Sequence, residues 1–436
     1  MKFVLLFLLA LPATAQPLDS MIEKELPSLV MTYKQLHAAP ELSQHEEKTA
    51  ALLASRLREL GYAVTERVGK YDDPALTSYG VVAVLKNGAG PTVLVRSDMD
   101  ALPVVEQTGL PYASTVKTKN TTGEEVGVMH ACGHDVHITT LMGTAKMLAA
   151  TKDHWHGTLI LIGQPAEEVV KGASAMLRDG LYERFGRPDF VIAFHDSANL
   201  AAGTVGYTPG YFMASADSVN VTIRGLGGHG AAPQSTRDPI VAAAQFVLAL
   251  QTIVSRENSP LDPAVVTVGA IHGGTKRNII PDEVKLLMTV RTYKPEVRKR
   301  VLASIERIAR STALAAGIPE SLAPVVEVLA GESTNSTYND PALAERLAAA
   351  LRPALGEQNV LKTDPLMVSE DFNLFSLDNK IPSAMFNLGA VAPAKIASGE
   401  RLPSLHSSLF APDPEPTLRT GIKGMVTMVW ELMGGR

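Results

Sequence analysis

With one cysteine in 436 residues, Cys132, the chain can form no internal disulfide. Its start reads as an export signal, and in an oxidising compartment paired cysteines are the ordinary use of the residue. A lone thiol is then either a small buried hydrophobe or a metal ligand, and the donors beside Cys132 favour the ligand. Clustered basic residues are missing too, and the net charge is −5. Nucleic acids and anionic membranes need such clusters, so no nucleic-acid partner is expected. No later segment offers an unbroken apolar stretch of the roughly 20 residues that cross a bilayer. The one conspicuous early run, 3–11, follows Lys2 and precedes the small-x-small triplet Ala13-Thr14-Ala15. It reads as a signal peptide cleaved after Ala15, which predicts a periplasmic or secreted protein with no membrane span after cleavage.

What is present is material for a substantial core: 46% of residues are hydrophobic and 19% charged, in a chain long enough for two domains. Ile22, Leu26, Leu29, Val30 and Tyr33 lie at helical spacing after Leu18, and Ala50, Leu53, Leu57 and Leu60 repeat the pattern before Gly61. β-Branched runs at 81–85, 92–96, 158–163 and 190–195 then alternate with a helical run at about 137–150. This is the βαβ rhythm of a mostly parallel sheet covered by helices. Near Tyr211 the pattern changes to strand 218–224, helix 238–255, strands 265–271 and 283–292, helix 296–315 and strand 325–329. That βαββαβ order predicts a split-βαβ, ferredoxin-like unit. The expected fold is therefore α/β: a mostly parallel-sheet domain over 16–213 and 333–436, interrupted by an inserted α+β domain over 214–332.

Five segments carry chemistry. Arg96-Ser-Asp-Met-Asp-Ala-Leu-Pro103 puts Asp98 and Asp100 at a strand ending, and Met129-His-Ala-Cys-Gly-His-Asp-Val-His137 is rich in soft and basic donors. Gly163-Gln-Pro-Ala-Glu-Glu168 follows one strand, Ala193-Phe-His195 ends another, and Leu405-His406-Ser-Ser408 lies in a late loop. Each alone is weak, since a histidine at a strand end is more often structural and paired acids are usually a solvated face. Together they place Cys, His and Glu donors at the carboxyl ends of neighbouring strands, where open α/β sheets form their sites. The glycine of Cys132-Gly-His134 permits the sharp backbone that aims two donors at one point. Thiolate, imidazole and carboxylate suit zinc or a similar divalent ion. His45, His154, His156 and His272 lack donor-rich neighbours and read as surface or packing residues. His130 and His137 flank the pair as supports of the ligands or as structural residues. Ser369, before Glu370 and Asp371, reads as a helix N-cap.

With His37-Ala-Ala-Pro-Glu-Leu42, Gly227-Gly-His-Gly-Ala-Ala-Pro233 and Ser369-Glu-Asp-Phe372 added, the chain from about His37 onward resembles the aminoacylase and glutamate carboxypeptidase family of dinuclear metallohydrolases. Within it, the sequence is most similar to the subfamily of hippurate hydrolases and auxin-conjugate hydrolases. The resemblance implies two divalent metal ions per subunit, bound by Cys132, His134, Glu168, His195 and His406, with Cys132 bridging. Asp98 stands where many relatives carry a ligand histidine, Asp100 would orient a ligand, and Glu167 would be the general base. The larger domain is then catalytic and the inserted one a lid and dimerisation domain. In the implied homodimer His229 serves the partner subunit's site as an oxyanion donor, while Asn278 and Arg291 hold a substrate carboxylate. An ordinary surface salt bridge is the plain alternative for Arg291. The thiolate favours zinc; manganese, nickel and cobalt stay open.

Two ions about 4 Å apart lower the pKa of a shared water and polarise a carbonyl. On an extended segment, Glu167 and Glu168 would point opposite ways, one to water and one to metal. The expected reaction is hydrolysis of the amide bond of a small N-acyl amino acid, hippurate or a related conjugate. An exopeptidase acting on dipeptides or longer peptides with the same metals is one alternative. A non-catalytic metal- or peptide-binding protein is another, though it has no use for Glu167 beside Glu168.

Overall fold

The computed structural model describes residues 17–120 and 123–434, so the expected signal peptide lies outside the described residues. Four parallel strands form the centre of the large sheet, in the order Gly157–Gln164, Thr92–Asp98, Phe190–Ala201, Ser383–Val391. Hardly a residue of Thr92–Asp98, Gly157–Gln164 or Ser383–Val391 reaches solvent, as parallel strands covered on both faces require. Antiparallel strands finish the edges: Gly80–Asn87 and Ala63–Val68 on one side, Val205–Tyr207 on the other, with Val360–Lys362 outermost and parallel to Val205–Tyr207.

Helices Leu18–Ala38, His134–Ala150 and Pro414–Met433 share one core with this sheet, where Leu26, Tyr33, Leu141 and Val426 join Val93, Val95, Ile192 and Phe194. The opposite face is sealed by Met176 of helix Gly172–Arg178 and by Phe372 and Phe375 of the short turn Asp371–Ser376. Three local expectations change. Strand Phe190–Ala201 runs six residues past His195, so the pleat of the sheet, not a loop, aims that imidazole. The next helix starts at His134, three residues before 137. Ser383–Val391 was not foreseen as a strand, because Ala, Met, Asn and Gly dilute its β-propensity.

The segment from Ser215 to Val328 builds a second sheet, entirely antiparallel, in the order Ala264–His272, Glu283–Thr292, Ser215–Arg224, Val325–Val328. Helices Pro239–Thr252 and Pro295–Ala315 pack on one face of it around Val219, Val221, Ile223, Phe246, Leu286 and Ile305, a core separate from the large one. Asp238 caps the first of these helices by accepting from Ile240 N–H at 2.8 Å, with Pro239 at its first position. The two crossings between the units lie side by side, where Ala216 and Thr334 exchange backbone hydrogen bonds of 3.0 and 2.9 Å. Although Gln245 and Gln251 break its apolar run, the 19 residues Pro239–Glu257 are apolar enough by length and composition to span a bilayer. Here Ala242, Phe246 and Leu250 lie in the small core while Val241 and Leu248 stay exposed.

Candidate metal centre

The carboxyl ends of the central strands open into a cleft of about 890 Å³, lined by Cys132, Glu167, Glu168, His195 and His406 and, across from them, by Ser218, Thr289 and Arg291 of the small sheet. Gly133 takes φ +78° just before helix His134–Ala150. A Cβ there would stand 2.3 Å from Asp196 Oδ2, so only glycine turns the chain from Cys132 into a helix that begins at His134. Cys132 Sγ lies 3.6 Å from His195 Nε2. His195 Nδ1 donates to the Asp196 carbonyl at 2.8 Å, which leaves the Nε2 lone pair free, and burial lowers the pKa of the ring to about 4. His134 Nε2 is 3.7 Å from Glu168 Oε1 and 4.0 Å from Glu167 Oε2, and Glu168 Oε2 is 3.4 Å from His406 Nε2. Donor atoms of Cys132, His134 and His195 fall within 4.8 Å of one another, as do those of Cys132, Glu168 and His406 and those of His134, Glu167 and Glu168. The fold thus gathers all five residues and Glu167 into one cluster. Ala166 at φ 50° and His406 at φ 66° hold the left-handed backbone that non-glycine residues adopt at a cost, a strain that concentrates at working sites.

Glu167 and Glu168 do not lie on an extended stretch. They form a turn closed by Val170 N–H to the Glu167 carbonyl at 2.7 Å, and from it both carboxylates approach the same His134 nitrogen. Strand alternation therefore does not separate their roles.

Burial, then Glu370 and Glu168, push Glu167 well above the usual carboxylate range. Burial raises Glu168 to about 7 and lifts the Cys132 thiol well above its usual value. In His134 burial opposes the charge, but Asp98, Asp100 and Glu168 prevail and raise it to about 10. Without a cation, burial favours the protonated forms of Glu167, Glu168 and Cys132, whereas Asp98 and Asp100, against the same burial, are held low by Arg96 and His134. His134 Nε2 and Glu168 Oε1 are buried without a hydrogen-bond partner, each a defect of about 1–3 kcal/mol. Divalent cations would satisfy these atoms and supply the missing charge, and the donor types are those a zinc-like ion takes.

Behind the donors lies a buried polar hub. Asp98 Oδ2 accepts from Arg96 at 2.6 Å and Oδ1 from His137 Nδ1 at 2.6 Å, so this carboxylate is committed to holding its neighbours. Arg96 also donates to Gln164 at 2.8 Å and to Glu370 at 2.7 Å, and Gln164 donates to Asp371 at 2.6 Å. Asp100 Oδ1 stands 3.3 Å from His134 Nδ1, while its Oδ2 accepts from Ser43 at 2.6 Å and from Glu168 N–H at 3.0 Å. His137 is a support: its Nε2 accepts from Asp196 N–H at 2.8 Å. His130 is buried with neither nitrogen paired, and burial lowers its pKa to about 4. The expected N-cap moves by one residue. Glu370 caps the 371–376 turn by accepting from Phe372 N–H at 3.1 Å, whereas the Ser369 hydroxyl accepts from Arg291 at 2.5 Å. His45, His154, His156 and His272 are exposed.

Arg96, Gln164 and His37 lie in motifs quoted from the sequence but were given no role there. The signal for Arg96 was a charge directly after the apolar run Val93-Leu94-Val95 of a buried strand. His37 is buried between Asp135 at 2.7 Å and Glu106 at 3.1 Å. Burial works against its charge, but these two hydrogen bonds raise its pKa to about 10.

The small unit contributes unevenly. Arg291 reaches the cleft and makes no ion pair among the described residues, which removes the salt-bridge alternative. His229 and Asn278 are exposed on the ribbon formed by Gly228–His229 and Ile279–Ile280 and do not line the cleft of their own chain. Ala231 N–H donates to His229 Nδ1 at 3.0 Å, which assigns the ring proton to Nε2.

Residues 94–400 match the Peptidase family M20/M25/M40. A hippurate hydrolase of Campylobacter jejuni is 40% identical over 343 residues, 78% of this chain and 83% of that protein. An N-acetyl-L-cysteine deacetylase of Bacillus subtilis is 39% identical over 317 residues, 71% of each chain. The crystal structure of the Bacillus subtilis protein YXEP, a dinuclear metal-binding peptidase of family M20, superposes with a TM-score of 0.73 at 28% identity, over 94% of this chain and 99% of that one. Together with the fold and the donor cluster, these matches establish that the chain belongs to peptidase family M20/M25/M40.

Proposed function

We propose that the protein hydrolyses the amide bond of N-acyl amino acids, using two divalent cations held by Cys132, His134, Glu168, His195 and His406. The observation that carries this reading is one cluster of five donors, buried except toward His406 at the cleft mouth, with a sixth group, Glu167, turned toward the same point. Bound cations there would polarise the scissile carbonyl and lower the pKa of water. Glu167, whose surroundings raise its proton affinity, takes the proton from that water and returns it to the leaving nitrogen. Asp100 keeps His134 and the Glu168 turn in place. Arg291, a fork-shaped cation in the cleft without an acidic partner, receives the substrate carboxylate. The thiolate of Cys132 favours zinc over manganese, nickel or cobalt. The names of the hippurate hydrolase and the deacetylase support this substrate class.

A homodimer through the small unit belongs to the same reading. Strand Ala264–His272 is an edge, and Val241, Leu248 and Ile271 expose apolar surface on that unit. It would bring His229 and Asn278 of each subunit to its partner's cleft. Leu248→Asp should then shift the sedimenting species from dimer to monomer.

The central test is metal analysis of purified protein with assays on hippurate, N-acetyl amino acids and dipeptides. Two transition-metal ions per chain and preferential turnover of N-acyl amino acids are expected. Protein that takes up no transition metal overturns the reading, and faster cleavage of dipeptides transfers it to the exopeptidase alternative.

A further inference from the structure

The register of the large sheet sets four polar side chains in one row. Gln164 pairs with Asp98, and Asn387 pairs with His195. Arg96 pairs with Ala193, so Asp98 comes level with His195 two residues further along. Register partners in a parallel sheet present their side chains to the same face. Three members of the row are engaged: Gln164 with Arg96 and Asp371, Asp98 with Arg96 and His137, and His195 beside Cys132. Asn387 is not. It is 4% exposed between Phe386 and Leu388, both fully buried, and it lines the cleft. Its carboxamide makes no hydrogen bond to the described residues, and its polar atoms stay open to the cleft. Neither the fold nor the polar hub uses this carboxamide, which is left free to meet a ligand in the cleft.

We propose that Asn387 is a substrate-binding residue whose Oδ1 accepts the N–H of the scissile amide. The inference rests on the amidohydrolase reading. There the carbonyl oxygen is turned to the cations and the carboxylate to Arg291, which leaves the amide N–H as the polar atom without a partner. A neutral carboxamide suits that atom, because it accepts the hydrogen bond without competing with Glu167 for the proton that the leaving nitrogen must gain. Its place beside His195, level with the donor cluster, puts the acceptor next to the reacting bond rather than at the rim.

The test compares hippurate with its ester analogue, O-benzoylglycolate, which has the same acyl group and carboxylate but no N–H. Asn387→Leu keeps the side-chain volume and Asn387→Ala removes it, so at least one variant should fold with its metal; metal content and Tm are recorded for both. Loss of one neutral hydrogen bond should lower kcat/KM for hippurate about tenfold while ester turnover stays within about twofold of wild type. Equal losses on amide and ester, or no loss on either, overturn the assignment. A wild-type enzyme that cleaves no N-acyl amino acid instead defeats the amidohydrolase reading, an outcome seen before any variant is made.

Discussion

The small unit fills its buried positions with Val219, Val221, Ile223, Phe246, Leu286 and Ile305, whereas the large domain, at the ends of its central strands, buries Arg96, Asp98, Gln164, His195, Glu370 and Asp371. Both regions are well buried, yet they are held by different physics. The first is stabilised by removing apolar area from water, a force that tolerates small shifts of its members. The second depends on hydrogen bonds and ion pairs in a low-dielectric setting, where every member must be matched. Apolar packing gives the small unit a rigid body able to present Arg291 from across the cleft. The charged hub gives the large domain fixed donor positions, which a metal centre needs and an apolar core cannot supply.

That contrast can be broken by substitution. The largest effect is expected at Glu167: Glu167→Gln should lower kcat by about a thousandfold or more while metal content stays at the wild-type level. Retained activity would remove it as the base. Arg96→Met leaves Asp98, Glu370 and Asp371 buried without their cation and should reduce stability to urea by about 3–5 kcal/mol; a cost below that of an ordinary surface substitution would show that the hub is not an anchor. On the small-unit wall, Arg291→Ala should raise KM by roughly ten- to a hundredfold with a smaller change in kcat, and Arg291→Lys should recover part of it. Stability of that variant should hardly change, since Arg291 has no ion pair to lose.

The smallest effect is a pH dependence of stability from His37. Its pKa is about 10 in the fold against 6.5 for the free side chain. A raised pKa means that the folded protein holds this proton more tightly than the unfolded chain does. The stabilisation is therefore complete below about 6.5 and is lost as pH rises through about 10. Thermal melts from pH 7 to 10 should show Tm falling more in the wild type than in His37→Gln; parallel curves would contradict the buried ion pair with Asp135 and Glu106.

How much of this was legible depended on range along the chain. Cys132, Gly133 and His134 sit within three residues, so the need for a left-handed glycine between two donors was visible from local stereochemistry. Glu167 beside Glu168 was equally visible as a pair, but not its geometry, because the left-handed Ala166 that makes the turn has no sequence signal in a residue that favours helix. Strand Ser383–Val391 escaped because its residues are weak strand formers, although the sheet places it in the central parallel group. Asn387 escaped with it. Ser369 read as a cap because capping chemistry is local, whereas its contact with Arg291 crosses between two domains.

Residue types and short spacings pointed to a divalent-metal site in an α/β domain, and the resemblance of the ordered motifs to a metallohydrolase family supplied the class of chemistry. Which donors meet, which carboxylate is tied to Arg96 rather than left for a cation, and which polar side chain of the row is left unpaired emerged only from the folded chain. Those outcomes are set by sheet register and by contacts between residues as far apart as Arg96 and Glu370, 274 positions along the sequence. No local preference encodes such separations; burial of the whole sheet decides them at once.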